Sequence, residues 1–425
     1  MLLVQTYLQT HSFAELAEEH GVYASFSKSG HKFSLNYDQL ESKESDLLAQ
    51  QCRGLILSAV DGKSYLPQSI EINERRTYDL VVPGATRVLA YPMNRFFNYG
   101  QGSAADVDWA DPKLAILEKL DGTLTIVYYD MFTDEWCVAT RSVPEADIII
   151  DSGFYTFRSL FEKALKDTNG MSFEDFTERL DREITYCFEL TTPYNRIVVD
   201  YKESRITLIA ARTVIYGIPA ARIDSLSSDM LSEWESFAEM DIDDVPTYGV
   251  PHVQAHTYTS VSDLLDWISN QNPLEHEGVV VRDSKFNRIK MKNASYVAFN
   301  RARDILGTSE RNCLELVLAG KEDDVIPALP PEIVERILNI KAGVLALIKD
   351  YDMRYVEFKT AADRIKSSDK KTFAIMVTGY KGIWTAPMFS MFDGKSSDMR
   401  DFIMKNRKDG TWGDSFLDRI LAIIK

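Results

Sequence analysis

Cysteine is scarce in this chain of 425 residues: Cys52, Cys137, Cys187 and Cys313 are the whole set, and no two form a Cys-x-x-Cys pair. That spacing argues against a zinc cluster or a disulfide framework and fits a reducing cytoplasm. Long apolar runs are missing too. The best candidate, Ala342 to Ile348, falls far short of the roughly 20 residues that a membrane-spanning helix needs. Met1 to Leu8 is apolar but has neither a basic flank nor a cleavage site, so no signal peptide is expected. Positive charge is in deficit, with 48 Lys+Arg against 64 Asp+Glu and a net charge of −16. Such a chain does not coat nucleic acid indiscriminately.

Several familiar motifs stop short of completion. Asp61-Gly62-Lys63-Ser64 and Asp393-Gly394-Lys395-Ser396 resemble fragments of a phosphate-binding loop, but Leu57 and Phe389 stand where its earlier glycine belongs. His252 and His256 are spaced to share a helix face, yet Val253 follows the first histidine where a zinc protease requires glutamate. A Gly-x-Ser-x-Gly hydrolase elbow is absent.

What is present suits two domains: the length exceeds one comfortable core, and 45% hydrophobic with 26% charged residues is ordinary for a globular protein. Charge is uneven. Residues 341–425 hold 16 Lys+Arg against 11 Asp+Glu, a balance of +5 that leaves −21 for the first 340 residues. A basic tail on an acidic body fits selective handling of RNA.

Periodicity divides the chain near residue 300. Ser12-Phe13-Ala14-Glu15 is a capping box that opens a helix to about His20. Lys32 to Tyr37, Gly54 to Leu57, Trp136 to Arg141, Ile184 to Glu189 and Ile206 to Arg212 read as strands. Helices are expected from Pro144 to about Lys166, from Ser172 to Leu180 and from Ser260 to about Asn270. Beyond residue 300 helical periodicity takes over, with a long amphipathic segment from Pro331 to about Ile365. The expected architecture is therefore a mixed α and β body, residues 1–300, followed by a helical domain, residues 301–425.

The chemistry gathers around Leu117-Glu118-Lys119-Leu120-Asp121-Gly122. A strand-like run ends in lysine, an Asp-Gly turn follows, and a second alternating run extends from Thr123 to Tyr129. Taken alone, this is a hairpin whose turn follows a lysine. Elsewhere the chain supplies cations and carboxylates that would make the lysine reactive. Burial and neighbouring cations would have to lower its pKa from about 10.4 by roughly 3 units to leave a useful fraction unprotonated near neutrality. Arg288-Ile289-Lys290-Met291-Lys292 puts Lys290 and Lys292 on one face of a strand. Glu277-Gly278-Val279-Val280-Val281 sets a carboxylate at the head of a buried strand.

The order Lys119-Leu120-Asp121-Gly122, Phe188-Glu189, Glu277-Gly278, Lys290-Met291-Lys292 resembles that of the covalent nucleotidyltransferases, the ATP-dependent polynucleotide ligases and mRNA capping enzymes. Within them the chain is most similar to the tRNA-repairing RNA ligases of T-even phages. Cys52-Arg53-Gly54, Phe96-Phe97-Asn98, Pro193-x-Asn195-Arg196-Ile197-Val198 and Lys370-Lys371-Thr372-Phe373-Ala374 carry the likeness along most of the chain. It implies an α+β nucleotidyltransferase domain, two antiparallel sheets of the ATP-grasp-like ligase type flanking an ATP cleft, then an all-α C-terminal RNA-specificity domain. A DNA ligase or capping enzyme would instead need a C-terminal β-barrel.

By the same resemblance Lys119 is the nucleophile that carries AMP. Lys290 and Lys292, with Arg53 and Arg95, grip phosphates; Glu189 accepts from a ribose hydroxyl; Phe97 stacks on adenine. Gly122, Tyr37 and Arg141 are further nucleotide contacts, and Tyr296 contacts RNA. Glu277 and Asp121 hold Mg²⁺ or Mn²⁺ through its waters, with Asp323 as a further metal-linked acid. Arg95 and Arg141 stand where the family commonly has lysine, which changes the hydrogen-bonding geometry, and Thr123 where it has serine. The partners implied are RNA with 5′-phosphate and 3′-hydroxyl ends, a nicked tRNA above all. The protein would act as a monomer in the host cytoplasm, away from membranes. The alternatives are a catalytically silent RNA-binding protein of the same fold, or a different nucleotidyltransferase of the DNA ligase or capping type.

Overall fold

The computed structural model describes residues 1–59, 62–65, 67–73, 75–82, 84–150, 155–216, 235–322, 326, 329, 331–364, 370–380, 383–408 and 411–424. Contacts divide the chain into two units, Met1–Val297 and Ala298–Lys425.

Strands in the first unit run in chain order as β1 (Val22–Phe26), β2 (Lys32–Tyr37), β3 (Arg53–Ala59), β4 (Ser69–Ile72), β5 (Arg75–Tyr78), β6 (Thr86–Ala90) and β7 (Phe97–Asn98). They continue as β8 (Ala115–Lys119), β9 (Thr123–Asp130), β10 (Glu135–Thr140), β11 (Ile184–Thr191), β12 (Arg205–Thr213), β13 (Ile215–Tyr216) and β14 (Glu235–Ser236). Last come β15 (Glu239–Met240), β16 (Ala255–His256), β17 (Gly278–Arg282) and β18 (Arg288–Lys292).

Three larger sheets result, in the orders β1-β2-β3-β6, β10-β9-β11-β12-β15 and β16-β8-β17-β18-β7. The α+β class holds, with two corrections. The N-terminal strands form a sheet of their own beside the two that flank the cleft, and β7 lies parallel to β18.

Alternation explains how the third sheet faces two environments. Ile116, Val279, Val281, Ile289 and Met291 point to one side and pack with Leu264 and Ile268 of the helix Val261–Asn270. Each large aliphatic side chain so buried contributes about 2 kcal/mol. The intervening residues, Leu117, Lys119, Val280, Lys290 and Lys292, are left for the opposite face, because strand side chains alternate. On the central sheet, Tyr186, Phe188 and Leu190 pack beneath the helix Phe157–Asn169 through Phe161 and Ala164.

The Asp-Gly turn makes no hairpin. β8 pairs with β16 and β17, whereas β9 pairs with β10 and β11, so the chain crosses between sheets at Leu120–Gly122. Gly122 makes the crossing possible: a Cβ there would lie 2.4 Å from the Leu190 carbonyl oxygen. The capping box is realised, with Ser12 N donating to Glu15 at 2.7 Å and Glu15 N donating to Ser12 Oγ at 3.2 Å. The helix expected from Pro144 starts only at Phe157, after the Thr156 cap. His252 and His256 share no helix; the first forms a bridge with Leu208 and the second lies in β16.

In the second unit the described elements are helices, Glu310–Leu318, Pro331–Arg364, Lys370–Gly379, Thr385–Phe392, Met399–Lys405 and Asp414–Ile424, while Ala294–Thr308 runs across the division. Ile337, Phe373, Met388, Met399 and Ile420 are fully buried among them.

Candidate active site

Register across three adjacent strands sets the site. Gly278 of β17 lies beside both Lys119 of β8 and Lys292 of β18. One step along the same face, Val280 lies between Leu117 and Lys290. Gly278 has φ +147° and a Cβ there would come within 2.1 Å of the Met291 carbonyl oxygen, so only glycine lets these strands meet. Glu277, just before it and 3% exposed, then reaches both lysines: its Oε2 lies 2.8 Å from Lys119 Nζ and its Oε1 2.8 Å from Lys292 Nζ.

A cavity of about 160 Å³ opens over this face, floored by Met93, Leu117, Ile209, Val253 and Val280. Lys119, Glu189, Arg53, Lys290 and Lys292 supply its charge. An apolar floor with a charged margin suits a flat heterocycle joined to phosphates. Gly122 N donates to Glu189 Oε1 at 3.1 Å, which fixes that carboxylate at the cavity.

Electrostatics differ sharply between the lysines. Burial pulls the Lys119 ammonium down, but the carboxylates of Glu277 and Glu189 outweigh it and hold its pKa above the ordinary value. The expected depression of Lys119 is therefore not found in the free protein. Lys290 is the depressed lysine, brought to about 7 by burial together with Arg53, Lys292 and Lys119. Burial likewise pushes Glu189 up to about 7, although Lys119 opposes it. Arg53 is also lowered, first by burial, and its Nη1 has no hydrogen-bond partner. An unpartnered buried guanidinium N–H beside two lysines is a ready anion ligand.

Around this centre Tyr37, 6% exposed, lies beneath two cations, with the Arg95 guanidinium 4.3 Å and that of Arg141 5.8 Å from its ring centre. Arg95 also donates to Ser42 Oγ at 2.7 Å.

Three expectations need correction. Asp121 is 4% exposed and both its oxygens are engaged: Oδ2 accepts from Val198 N and Val199 N at 2.9 and 2.8 Å, and Oδ1 accepts from Tyr296 Oη at 2.6 Å. It is placed as an anchor of the crossing rather than as an open metal ligand. Tyr296, itself 3% exposed, is spent on that anchor and is not an RNA-facing side chain. Phe97 is buried in β7, and Phe96 is the ring that lines the Lys119 cavity, with Lys290 Nζ 4.9 Å and the Arg53 guanidinium 5.5 Å from its centre. Asp323 lies outside the described residues.

Other residues at the site had no place in the motif reading. Arg288 lines the cavity, and the period of two that paired Lys290 with Lys292 would have found it. Glu118 meets two histidines, with His256 Nε2 2.6 Å and His276 Nδ1 3.0 Å from its carboxylate oxygens; they are far apart in sequence and nothing local signals them. Tyr201 Oη accepts from Asp121 N at 3.2 Å.

Two carboxylates stand by the cavity: Glu277, bridged between Lys119 and Lys292, whose lysine partners a divalent cation would have to displace, and Glu189. Among the described residues, no group of three or more His, Cys, Asp or Glu side chains is placed to hold a metal. That donor set fits an ion of the Mg²⁺ kind, which keeps most of its waters and is held by one or two carboxylates together with substrate phosphates.

Comparison with known proteins agrees with this chemistry. A profile described as RNA ligase matches residues 51–296, more than half of the chain. The RNA ligase of Rhodothermus phage RM378 is 22% identical over 368 residues, which cover 74% of this chain and 79% of that protein. A putative bifunctional polynucleotide kinase/RNA ligase of Autographa californica nuclear polyhedrosis virus is 25% identical over 308 residues, 70% of this chain but only 37% of that one. Among solved structures, an archaeal ATP-dependent RNA ligase aligns over 99% of this chain and 96% of its own, at 14% identity and a TM-score of 0.37. With the family profile spanning every strand of the Lys119 sheet, from Phe97–Asn98 to Arg288–Lys292, the chain belongs to the RNA ligase family.

Proposed function

We propose that the protein is an ATP-dependent RNA ligase that joins a 5′-phosphate to a 3′-hydroxyl through AMP carried on Lys119. The observation that supports it most is the Lys119–Glu277–Lys292 bridge at the mouth of an apolar cavity with an unpartnered Arg53 N–H beside it. ATP would seat its base on the Leu117–Val280 floor and its phosphates among Arg53, Lys290 and Lys292. Lys119, once its ammonium proton has passed to solvent, attacks the α-phosphorus through Nζ: an N–P bond forms, the bond to the bridging oxygen breaks, and pyrophosphate leaves. The AMP passes to the 5′-phosphate of one RNA end, freeing Lys119, and a 3′-hydroxyl displaces it to close the phosphodiester bond.

Glu277 is central to the first step. In the free protein its charge keeps Lys119 protonated. A divalent cation bound at Glu277 would offset that charge and the charge developing on the phosphates. Glu189 would accept from the ribose, and Arg95 and Arg141, stacked over Tyr37, would extend the cationic margin. Tyr37 supports those two cations from below.

Residues 1–300 would form the adenylyltransferase domain and 301–425 the domain that selects the RNA, with a cleaved tRNA as the natural substrate. Asp323 is retained as an acid linked to the metal. No helix among the described residues is long and apolar enough to cross a membrane, and the protein is proposed to act as a monomer in the host cytoplasm.

The test is incubation with Mg²⁺ and ATP labelled at the α-phosphate, then denaturing electrophoresis, with labelled GTP as control. A band from ATP alone, lost in acid and absent from Lys119→Ala, is the expected result. A band from GTP would point to capping chemistry. No band from folded protein free of prior AMP would leave a silent RNA-binding protein.

A further inference from the structure

Next to the Lys119 cavity a second cleft, about 650 Å³, opens where β18 begins, between the segment Asn94–Phe97 and the edge of the central sheet. The two spaces share Phe96 and Arg288 in their walls. Arg95 and Phe97 also stand in its wall; the reading of the Lys119 site gives the far side, Arg212, Lys285 and Phe286, no role.

Its walls are built for an anion. Arg212 and Arg288 are each 7% exposed, and both pair with a single carboxylate, Glu239. Two buried guanidinium groups on one carboxylate leave an uncompensated positive charge. Arg212 also has an Nε with no hydrogen-bond partner, although it lines the cleft. Lys285, exposed at the rim, is paired with no carboxylate among the described residues.

A second feature points to a ring. Phe286 has φ +62°, in the left-handed region that a bulky side chain rarely occupies. Asp283 imposes it: one carboxylate oxygen accepts from Lys285 N and from Asn287 N, both at 2.9 Å, and the Asp283 carbonyl accepts from Phe286 N at 3.0 Å. Backbone strain of this kind gathers at ligand-binding positions. The half-buried aromatic ring is thereby held in the wall of the cleft, with the Arg282 and Arg288 guanidinium groups 5.1 and 5.9 Å from its centre.

Charge for a phosphate and a ring for a base together describe a nucleotide. The cleft is several times the volume of the Lys119 cavity and adjoins it, which suits a unit within a strand better than a free mononucleotide. We propose that this cleft binds a nucleotide of the RNA strand being joined, its phosphate toward Arg212, Arg288 and Lys285 and its base against Phe286. This rests on the RNA ligase reading and adds to it a place for the substrate strand.

The experiment measures fluorescence anisotropy of a labelled single-stranded oligoribonucleotide, 5′-phosphorylated and blocked at its 3′ end, with the full chain and no ATP. Phe286→Asn tolerates the left-handed backbone and removes the ring; it should weaken binding about tenfold, the effect of one lost base–aromatic stack, and Phe286→Trp should restore it. Lys285→Ala should reduce the slope of log K against log salt by about 0.7, as expected for one phosphate contact on a single strand. Labelling by ATP should be unchanged in all three.

Binding equal to the wild type in Phe286→Asn and Lys285→Ala would overturn the proposal. So would loss of ATP labelling in the same variants, which would assign the cleft to ATP, or displacement of the oligonucleotide by AMP at equal concentration, which would assign it to a free nucleotide. RNA binding is read without ATP, so a wild type that fails to label sinks the ligase chemistry separately.

Discussion

Lys119 of β8 and Lys290 of β18 stand on one sheet face, on either side of β17, and line one cavity, yet their pKa values move in opposite directions. Burial acts on both in the same direction. Lys119 has Glu277 at 2.8 Å and Glu189 nearby, and is held above its ordinary pKa. Lys290 has Arg53, Lys292 and Lys119 around it and falls to about 7. The comparison teaches that in this site the neighbours, not the depth, decide which lysine carries a proton. It also makes Glu277 the gate on the nucleophile: the ligand that neutralises Glu277 is the one that frees Lys119.

The largest expected effect comes from breaking the carboxylate side. Glu277→Gln removes the charge that holds the Lys119 proton but also the carboxylate that would hold the divalent cation, and because the second loss outweighs the first we expect the rate of labelling from ATP to fall by about 10² or more, the scale of losing one charge-positioning group in a catalytic site. A single-turnover assay measures it; a labelling rate equal to that of the wild type would remove Glu277 from the mechanism.

A third buried lysine sharpens the contrast away from the site. Lys32, 2% exposed, has its pKa held above the ordinary value against the pull of burial, by Cys137 and by Asp130, whose Oδ2 lies 3.2 Å from it and 2.7 Å from His31 Nε2. Although burial alone would raise Asp130, His31 and Lys32 bring it down to about 2. Its contribution to stability is thus present above the unfolded carboxylate pKa of about 3.9 and is lost as pH falls toward 2. Asp130→Asn should destabilise the fold at pH 7 by about 3 kcal/mol, the cost of stranding a buried charge. Urea denaturation tests this, and an unchanged midpoint would mean that Lys32 finds another partner.

Asp121 is the carboxylate bonded to Val198, Val199 and Tyr296 rather than to a lysine, and Tyr296→Phe tests that role. One charge-assisted hydrogen bond is worth about 1.5–3 kcal/mol, so stability should drop by the lower end of that range while RNA affinity stays as it was. A loss of RNA affinity without a loss of stability would return Tyr296 to the RNA-contact role.

A last effect, visible only as a change of slope with pH, comes from Lys290. Its folded pKa lies below the unfolded value, so the unfolded chain binds the extra proton between about 7 and 10.4. Stability from this group therefore rises with pH across that window, and the penalty is complete below it. Lys290→Met should flatten the rise in Tm between pH 7 and pH 10, and pyrophosphate should do the same to the wild type by holding the lysine charged. A wild-type profile identical to that of the variant would place Lys290 in solvent.

The sequence by itself determined the strands that carry the site and the identity of most of its charged groups. Alternation marked Lys290 and Lys292 as neighbours on one face, the capping box marked the helix Phe13–His20, and glycines followed the residues that had to approach other backbone. These are local properties, fixed by side-chain period and by backbone sterics within a few residues. Only the tertiary structure decided that Asp121-Gly122 is a crossing between sheets, that Phe96 rather than Phe97 meets the cavity, and that Asp121 is occupied by Val198, Val199 and Tyr296. It decided the sign of the Lys119 shift as well, because Glu277 is 158 residues away in sequence and electrostatic energy depends on distance in space.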